Sequence, residues 1–97
     1  MAELLNPDEV VSQLAALEGW QVEGKELVRT FKFPTYLAGA TFVQDVAQKA
    51  EAANHHPDLL LGWRKVTARL STHSKGGLTE LDFQLAAQMS QVFGASA

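Results

Sequence analysis

Apolar residues recur along the chain first at helical spacing and then in alternation, and the two periods change places several times. Val10, Val11, Leu14 and Leu17 make the stripe of a helix over residues 7–18. Asn6 stands at its N-cap, Pro7 at the first helical position and Glu9 three after the cap, as in a capping box. Gly19 terminates it. Residues 20–23 and 26–33 read as strands turned through Gly24-Lys25. In the second, Leu27, Phe31 and Phe33 share one face, and Val28, Thr30 and Lys32 share the other. Pro34 closes that strand and Thr35 caps a long helix over 36–53, with Leu37, Ala40, Val43, Val46, Ala47 and Ala50 at helical spacing and Asn54 as a left-handed stop. Residues 59–63 and 65–72 are a third and a fourth strand. Gly76-Gly77 breaks the chain, and Thr79 opens a last helix near 80–93 carrying Leu81, Leu85, Met89 and Val92.

The order is α-β-β-α-β-β-α. Successive hairpins give a four-stranded antiparallel sheet with the amphipathic helices over one face, an α+β two-layer fold in a single domain spanning 1–97. The other face carries Thr67, Arg69 and Ser71 and stays wet or meets something polar. A chain of 97 residues buries only ~60–65% of the surface that its unfolded form exposes, so its core is small and self-association adds burial. The stripe Leu81, Leu85, Met89, Val92 and Phe93 is a candidate surface for self-association; the alternative is that it covers its own sheet.

Charge removes several classes of function. The net charge is −3, and the Lys and Arg residues are scattered singly apart from Arg64-Lys65, so a nucleic-acid partner is not expected. No apolar run approaches the roughly 20 residues that a membrane span needs, and the opening residues lack the basic and apolar regions of a secretory signal. A cytoplasmic location is the default expectation. Cysteine is absent, which removes disulfides, thiol nucleophiles and thiolate metal sites.

The chemistry-bearing residues are His55, His56 and His73. A tight hairpin centred on Arg64 sets opposite each other residues whose numbers sum to about 128, as His55 and His73 do, so both histidine segments end at one rim of the sheet. Imidazole titrates near neutrality and can give and take protons there. Glu51 precedes His55 by four, so in a continuing helix it shares that face and orients the ring. Ser71 and Thr72 set hydroxyls beside His73, and Gly76-Gly77 lets backbone approach a flat ligand. Each segment alone reads more readily as a helix end or a surface group; their convergence on one rim brings a site level with that reading. Three histidines would also suffice for a zinc, but adjacent imidazoles do not easily chelate one ion and no H-x-H or H-x-x-x-H spacing occurs, so no metal is expected. Asp82, three after Thr79, fits a capping box, and Trp63 inside a hairpin fits core or interface packing.

The run Glu51-Ala-Ala-Asn-His55-His56-Pro57, followed by Trp63, Ser71-Thr72-His73 and Gly77-Leu78-Thr79-Glu80-Leu81-Asp82, resembles the signature of the pterin-4a-carbinolamine dehydratases. Gly19-Trp20, the strand Phe31-Lys32-Phe33 and the helix leading into His55 extend the resemblance over nearly the whole chain. It implies a lyase that dehydrates 4a-hydroxytetrahydropterin to quinonoid dihydropterin, regenerating the cofactor of aromatic amino-acid hydroxylases without any cofactor of its own. It implies a homodimer or homotetramer, with His55, His56 and His73 as the catalytic residues. On that footing His55 and His73 transfer protons, His56 holds the pterin, and Glu51, Pro57, Ser71 and Thr72 surround it. The second function that the resemblance implies is a protein-binding role, as an assembly factor or a transcriptional cofactor.

Overall fold

The computed structural model describes residues 3–96. Its elements are α1 (Pro7–Leu14), β1 (Gln21–Glu23), β2 (Glu26–Lys32), α2 (Tyr36–Ala53), β3 (Asp58–Gly62), β4 (Lys65–Leu70), a 3-10 turn (His73–Lys75) and α3 (Glu80–Ser96). The sheet is antiparallel throughout, in the order β1-β2-β4-β3. The expected α+β architecture and element order are therefore the observed ones.

Local chemistry explains most element ends. Asn6 accepts from the Glu9 amide while Glu9 accepts from the Asn6 amide, a complete capping box on α1. Thr35 accepts from the Ala38 amide to start α2, and Asn54 stops it in the left-handed region at φ 51°. α1 ends four residues earlier than the periodicity suggests. After Leu14 the chain tightens to i→i−3 bonds, Ala16 to Gln13 and Leu17 to Leu14, and this turn carries Leu17 onto the core. Arg29 fixes the turn from the sheet by donating to the Glu18 carbonyl at 3.2 Å.

The core lies between the sheet and the helices. Leu27 and Phe31 of β2 and Val66, Ala68 and Leu70 of β4 meet Phe42, Val46 and Ala50 of α2 and Leu85, Ala86 and Met89 of α3. Gly39 allows α2 this close approach, since a Cβ there would stand 3.1 Å from a Leu61 methyl. Phe31, Phe33, Phe42 and Phe93 form one aromatic cluster with centroids 4.7 to 6.3 Å apart. Leu85 and Met89, expected on a self-association surface, are buried in this chain's own core, and Phe93 packs in the aromatic cluster. The last helix spends its stripe on its own sheet.

Two charged groups adjust to this packing. Arg29 lies on the core side of β2 with its guanidinium 4.3 Å from the Phe31 ring centroid, and it shares Ser90 Oγ with the Trp20 indole. Burial lowers its pKa from the ordinary arginine value, while the Glu18 carboxylate pulls the other way. On the opposite face Thr30 and Thr67 share a hydrogen bond at 3.0 Å, and Arg69 donates to Glu23 and Glu26, each at 3.3 Å. That face is polar, as expected.

The β3–β4 hairpin differs in detail from its expected form. It turns on the pair Trp63-Arg64 rather than on Arg64 alone, with Gly62 opposite Lys65 and Asp58 opposite Arg69. Arg64 takes φ 61°, and its carbonyl accepts from the Phe33 amide at 2.9 Å. Trp63 thus sits in the turn and is 74% exposed, which removes the core half of the expected core or interface packing. Continuing this register past the last pair sets His55 opposite Thr72 rather than His73.

Candidate active site

The left-handed stop at Asn54 turns the chain inward at the end of α2, and the His55 amide still reaches the Ala50 carbonyl at 3.1 Å. The imidazole of His55 is consequently buried, at 8% exposure for the residue. Its Nε2 lies 2.6 Å from Oδ1 of Asp82, in the first turn of α3. Asp82 is wholly buried, and its second oxygen is held too: Thr72 Oγ1 donates to Oδ2 at 2.8 Å and the Thr79 amide does so at 2.9 Å. Thr72 and Thr79 share a hydroxyl bond at 2.7 Å. Thr79 Oγ1 also accepts from the Leu81 amide at 3.2 Å. A buried carboxylate needs this much company, because each unmade bond to a charged group in the core is expensive.

Asp82 is the residue that brings the two histidine segments together. On one side it holds His55, and on the other it holds Thr72, whose chain neighbour His73 opens the 3-10 turn. The bridge between Thr72 and Gly77, with the Thr72 amide on the Gly77 carbonyl at 2.8 Å, closes that loop. Gly76 provides the turn at φ 73°, and its missing side chain faces open space. Gly77 instead packs on Leu4, where a Cβ would stand 3.0 Å from a methyl group.

The other expected residues fall into two groups. His56 is exposed and pairs through Nε2 with Glu51, also exposed. Glu51 therefore orients His56, not His55 as the sequence suggested: the helix does not continue past Asn54, so the four-residue spacing no longer stacks Glu51 on His55. His73 is exposed beside the buried network, while Pro57 and Ser71 are half-buried at the same rim. Thr72 is buried and its hydroxyl is committed to Asp82 and Thr79. Among the described residues, no group of three or more His, Asp and Glu side chains is placed to hold a metal ion. Nor is any helix among them long and apolar enough to cross a membrane.

Sequence reasoning underrated Asp82. The half of the capping box expected between Asp82 and the Thr79 amide is present. A capping Asp uses one oxygen, however, and the other was the available signal. On a helix packed against the sheet, that second oxygen points into the interior and must find a donor.

This arrangement can perform proton transfer. A buried histidine whose ring is oriented by a carboxylate can act as acid or base at its other nitrogen; exposed His56 follows it in the chain, and exposed His73 follows Thr72, which shares Asp82 with it. Comparison with known proteins gives the same direction. The family model for pterin 4 alpha carbinolamine dehydratase matches residues 3–92. A provisionally named pterin-4-alpha-carbinolamine dehydratase of Roseiflexus castenholzii is 50% identical over 92 residues, covering 95% of this chain and 99% of that protein. A protein of Mycobacterium tuberculosis with the same provisional name is 46% identical over 92 residues, covering 95% of this chain and 98% of its own. Among solved structures, a transcriptional coactivator/pterin dehydratase from Brucella melitensis superposes with a TM-score of 0.89 at 37% identity, covering 93% of this chain and 98% of that one. A pterin dehydratase-like protein identified as a RuBisCO assembly factor in the alpha-carboxysome shares the fold, with a TM-score of 0.63 at 24% identity over 77% of this chain and 87% of its own.

Proposed function

The chain belongs to the pterin 4 alpha carbinolamine dehydratase family, and from that premise we propose that it is a hydro-lyase converting 4a-hydroxytetrahydropterin to quinonoid dihydropterin and water. The observation that carries the reading is the buried His55–Asp82 pair joined to the loop of His73. Hydroxide leaves carbon poorly, so an acid must protonate the 4a-oxygen as the carbon–oxygen bond breaks. The electron pair that replaces it comes from the adjacent ring nitrogen, water departs, and a base takes the proton that the ring then releases. His55 and His73 are the acid–base pair in this scheme. His56, steadied by Glu51, holds the pterin with Pro57 and Ser71 at the rim. Thr72 acts through Asp82 rather than on the ligand. General acid–base help of this kind supplies ~10²–10⁴-fold in rate.

The same reading proposes a cytoplasmic protein that works as a homo-oligomer and serves an aromatic amino-acid hydroxylase. The test is a spectroscopic assay of 4a-carbinolamine breakdown with His55→Ala and His73→Ala alongside the parent. Both variants are expected to lose most of kcat; a His73→Ala protein with the parent's kcat removes that residue from the scheme.

A protein-binding role is the second reading, and one observation favours it. Leu37, Leu60 and Trp63 are 75%, 71% and 74% exposed, large apolar side chains that a partner would cover. Failure of the purified protein to dehydrate the 4a-carbinolamine would move the weight to this reading.

A further inference from the structure

A hydroxyl has one hydrogen, so the buried bonds linking Thr79, Thr72 and Asp82 can be assigned a direction. Thr79 Oγ1 accepts the Leu81 N–H, and its own hydrogen remains to be placed. Thr79 has no exposed surface, and the oxygen within reach is Thr72 Oγ1 at 2.7 Å. Thr72 therefore turns its hydrogen to Asp82 Oδ2 at 2.8 Å, the oxygen on which the Thr79 N–H also lands. The reverse order would put a proton on Asp82 Oδ2, pass it to Thr72 and send the Thr72 hydrogen to Thr79. The Thr79 hydrogen would then be stranded in the core without an acceptor, which folded proteins avoid. No other buried side-chain atom among the described residues lacks a partner, so the forward order leaves every group satisfied.

We propose that Thr72 and Thr79 are positioning residues that lock the tautomer of His55: their one-way hydroxyl chain and the Thr79 N–H hold Oδ2 as an acceptor and so favour Asp82 as a carboxylate, whose Oδ1 then accepts from His55, which carries its hydrogen on Nε2 and works through Nδ1. The proposal rests on the acid–base role given to His55 above and deepens it by naming the working nitrogen. Neutral His55 offers the Nδ1 lone pair as a base, and protonated His55 offers the Nδ1 hydrogen as an acid. In neither form does the carboxylate have to take a proton. The lock is built from the start of α3, since Thr79 both precedes that helix and supplies the last hydrogen of the chain. Thr72 contributes a hydroxyl, not a surface to the ligand, and only a short residue with that group can fill its place.

The experiment is ¹⁵N NMR of the histidine rings in the full chain, with kinetics on the same samples. Neutral His55 in the parent is expected to show the Nε2–H tautomer. Thr72→Val keeps the shape and deletes the hydroxyl; the tautomers should mix, and kcat should fall about 10-fold or more with KM within about twofold. Thr72→Ser should restore both the spectrum and most of kcat, which a loss of packing alone would not predict. A parent spectrum with the hydrogen on Nδ1 overturns the proposal, as does a folded Thr72→Val protein that keeps both the Nε2–H signal and the parent's kcat. If Thr72→Val does not fold, Thr72→Ala is read in the same way and the parent spectrum decides the direction of the chain. A parent that shows the Nε2–H tautomer but never dehydrates the 4a-carbinolamine sinks the proposed activity and leaves the lock standing.

Discussion

Replacing Asp82 by asparagine isolates its effect on His55 from its effect on the fold. Asp82 accepts from His55 at 2.6 Å, from Thr72 at 2.8 Å and from the Thr79 amide at 2.9 Å. An alanine would abandon all three donors inside the core, at ~1–3 kcal/mol each, a sum that rivals the whole stability of a small domain. Asparagine keeps an oxygen for Thr72 and the Thr79 amide and presents its NH₂ to the imidazole. The expected stability loss is then only that of one charge-assisted bond, ~1.5–3 kcal/mol. The ring, by contrast, now meets a donor at Nε2 and must move its own hydrogen to Nδ1. A histidine held in the wrong tautomer forfeits its acid–base contribution, so kcat should fall by ~10²–10⁴-fold. Urea unfolding gives the first quantity and steady-state turnover of a 4a-hydroxypterin gives the second. A folded Asp82→Asn protein with kcat within about threefold of the parent would refute the orienting role.

Two further substitutions test the frame that holds the site. Asn54→Ala should destabilise by ~1–2 kcal/mol, because alanine pays for the left-handed φ of 51° that asparagine tolerates, whereas Asn54→Gly should stay near the parent; urea midpoints at unchanged slope check both. Phe42→Ala removes a ring that is 1% exposed and packs on Phe31 and Phe33 at 4.7 and 5.2 Å, so it should cost ~3–5 kcal/mol in the same assay.

The elements were legible in the sequence wherever a local residue decides them. Asn6 with Glu9, Thr35 and Asn54 each act on backbone groups within four residues, so their roles could be read without the rest of the chain. Where distant packing decides, the reading slipped. The end of α1 depends on Arg29, which reaches across from β2. The β3–β4 turn falls on Trp63-Arg64, with a non-glycine residue at positive φ, while the visible turn-former Gly62 remains in the strand. The histidine that becomes buried was also hard to choose. Asn54 as a left-handed stop and Glu51 stacked on His55 cannot both hold, since the second needs the helix to continue. The stop prevails: His55 goes inward to Asp82 and His56 outward to Glu51.

The contact between His55 and Asp82 has a consequence for how occupancy of the site is felt elsewhere. It pins the C-terminal end of one long helix to the N-terminal turn of the other, and the sheet lies beneath both. Prising those helices apart therefore requires undoing the very bond on which a ligand would depend. By thermodynamic linkage, any molecule that binds only with the ring engaged lowers the population in which the two helices are open. Backbone amides of Ala50 or Leu85, both buried, would then exchange with deuterium more slowly in a saturated sample than in an empty one.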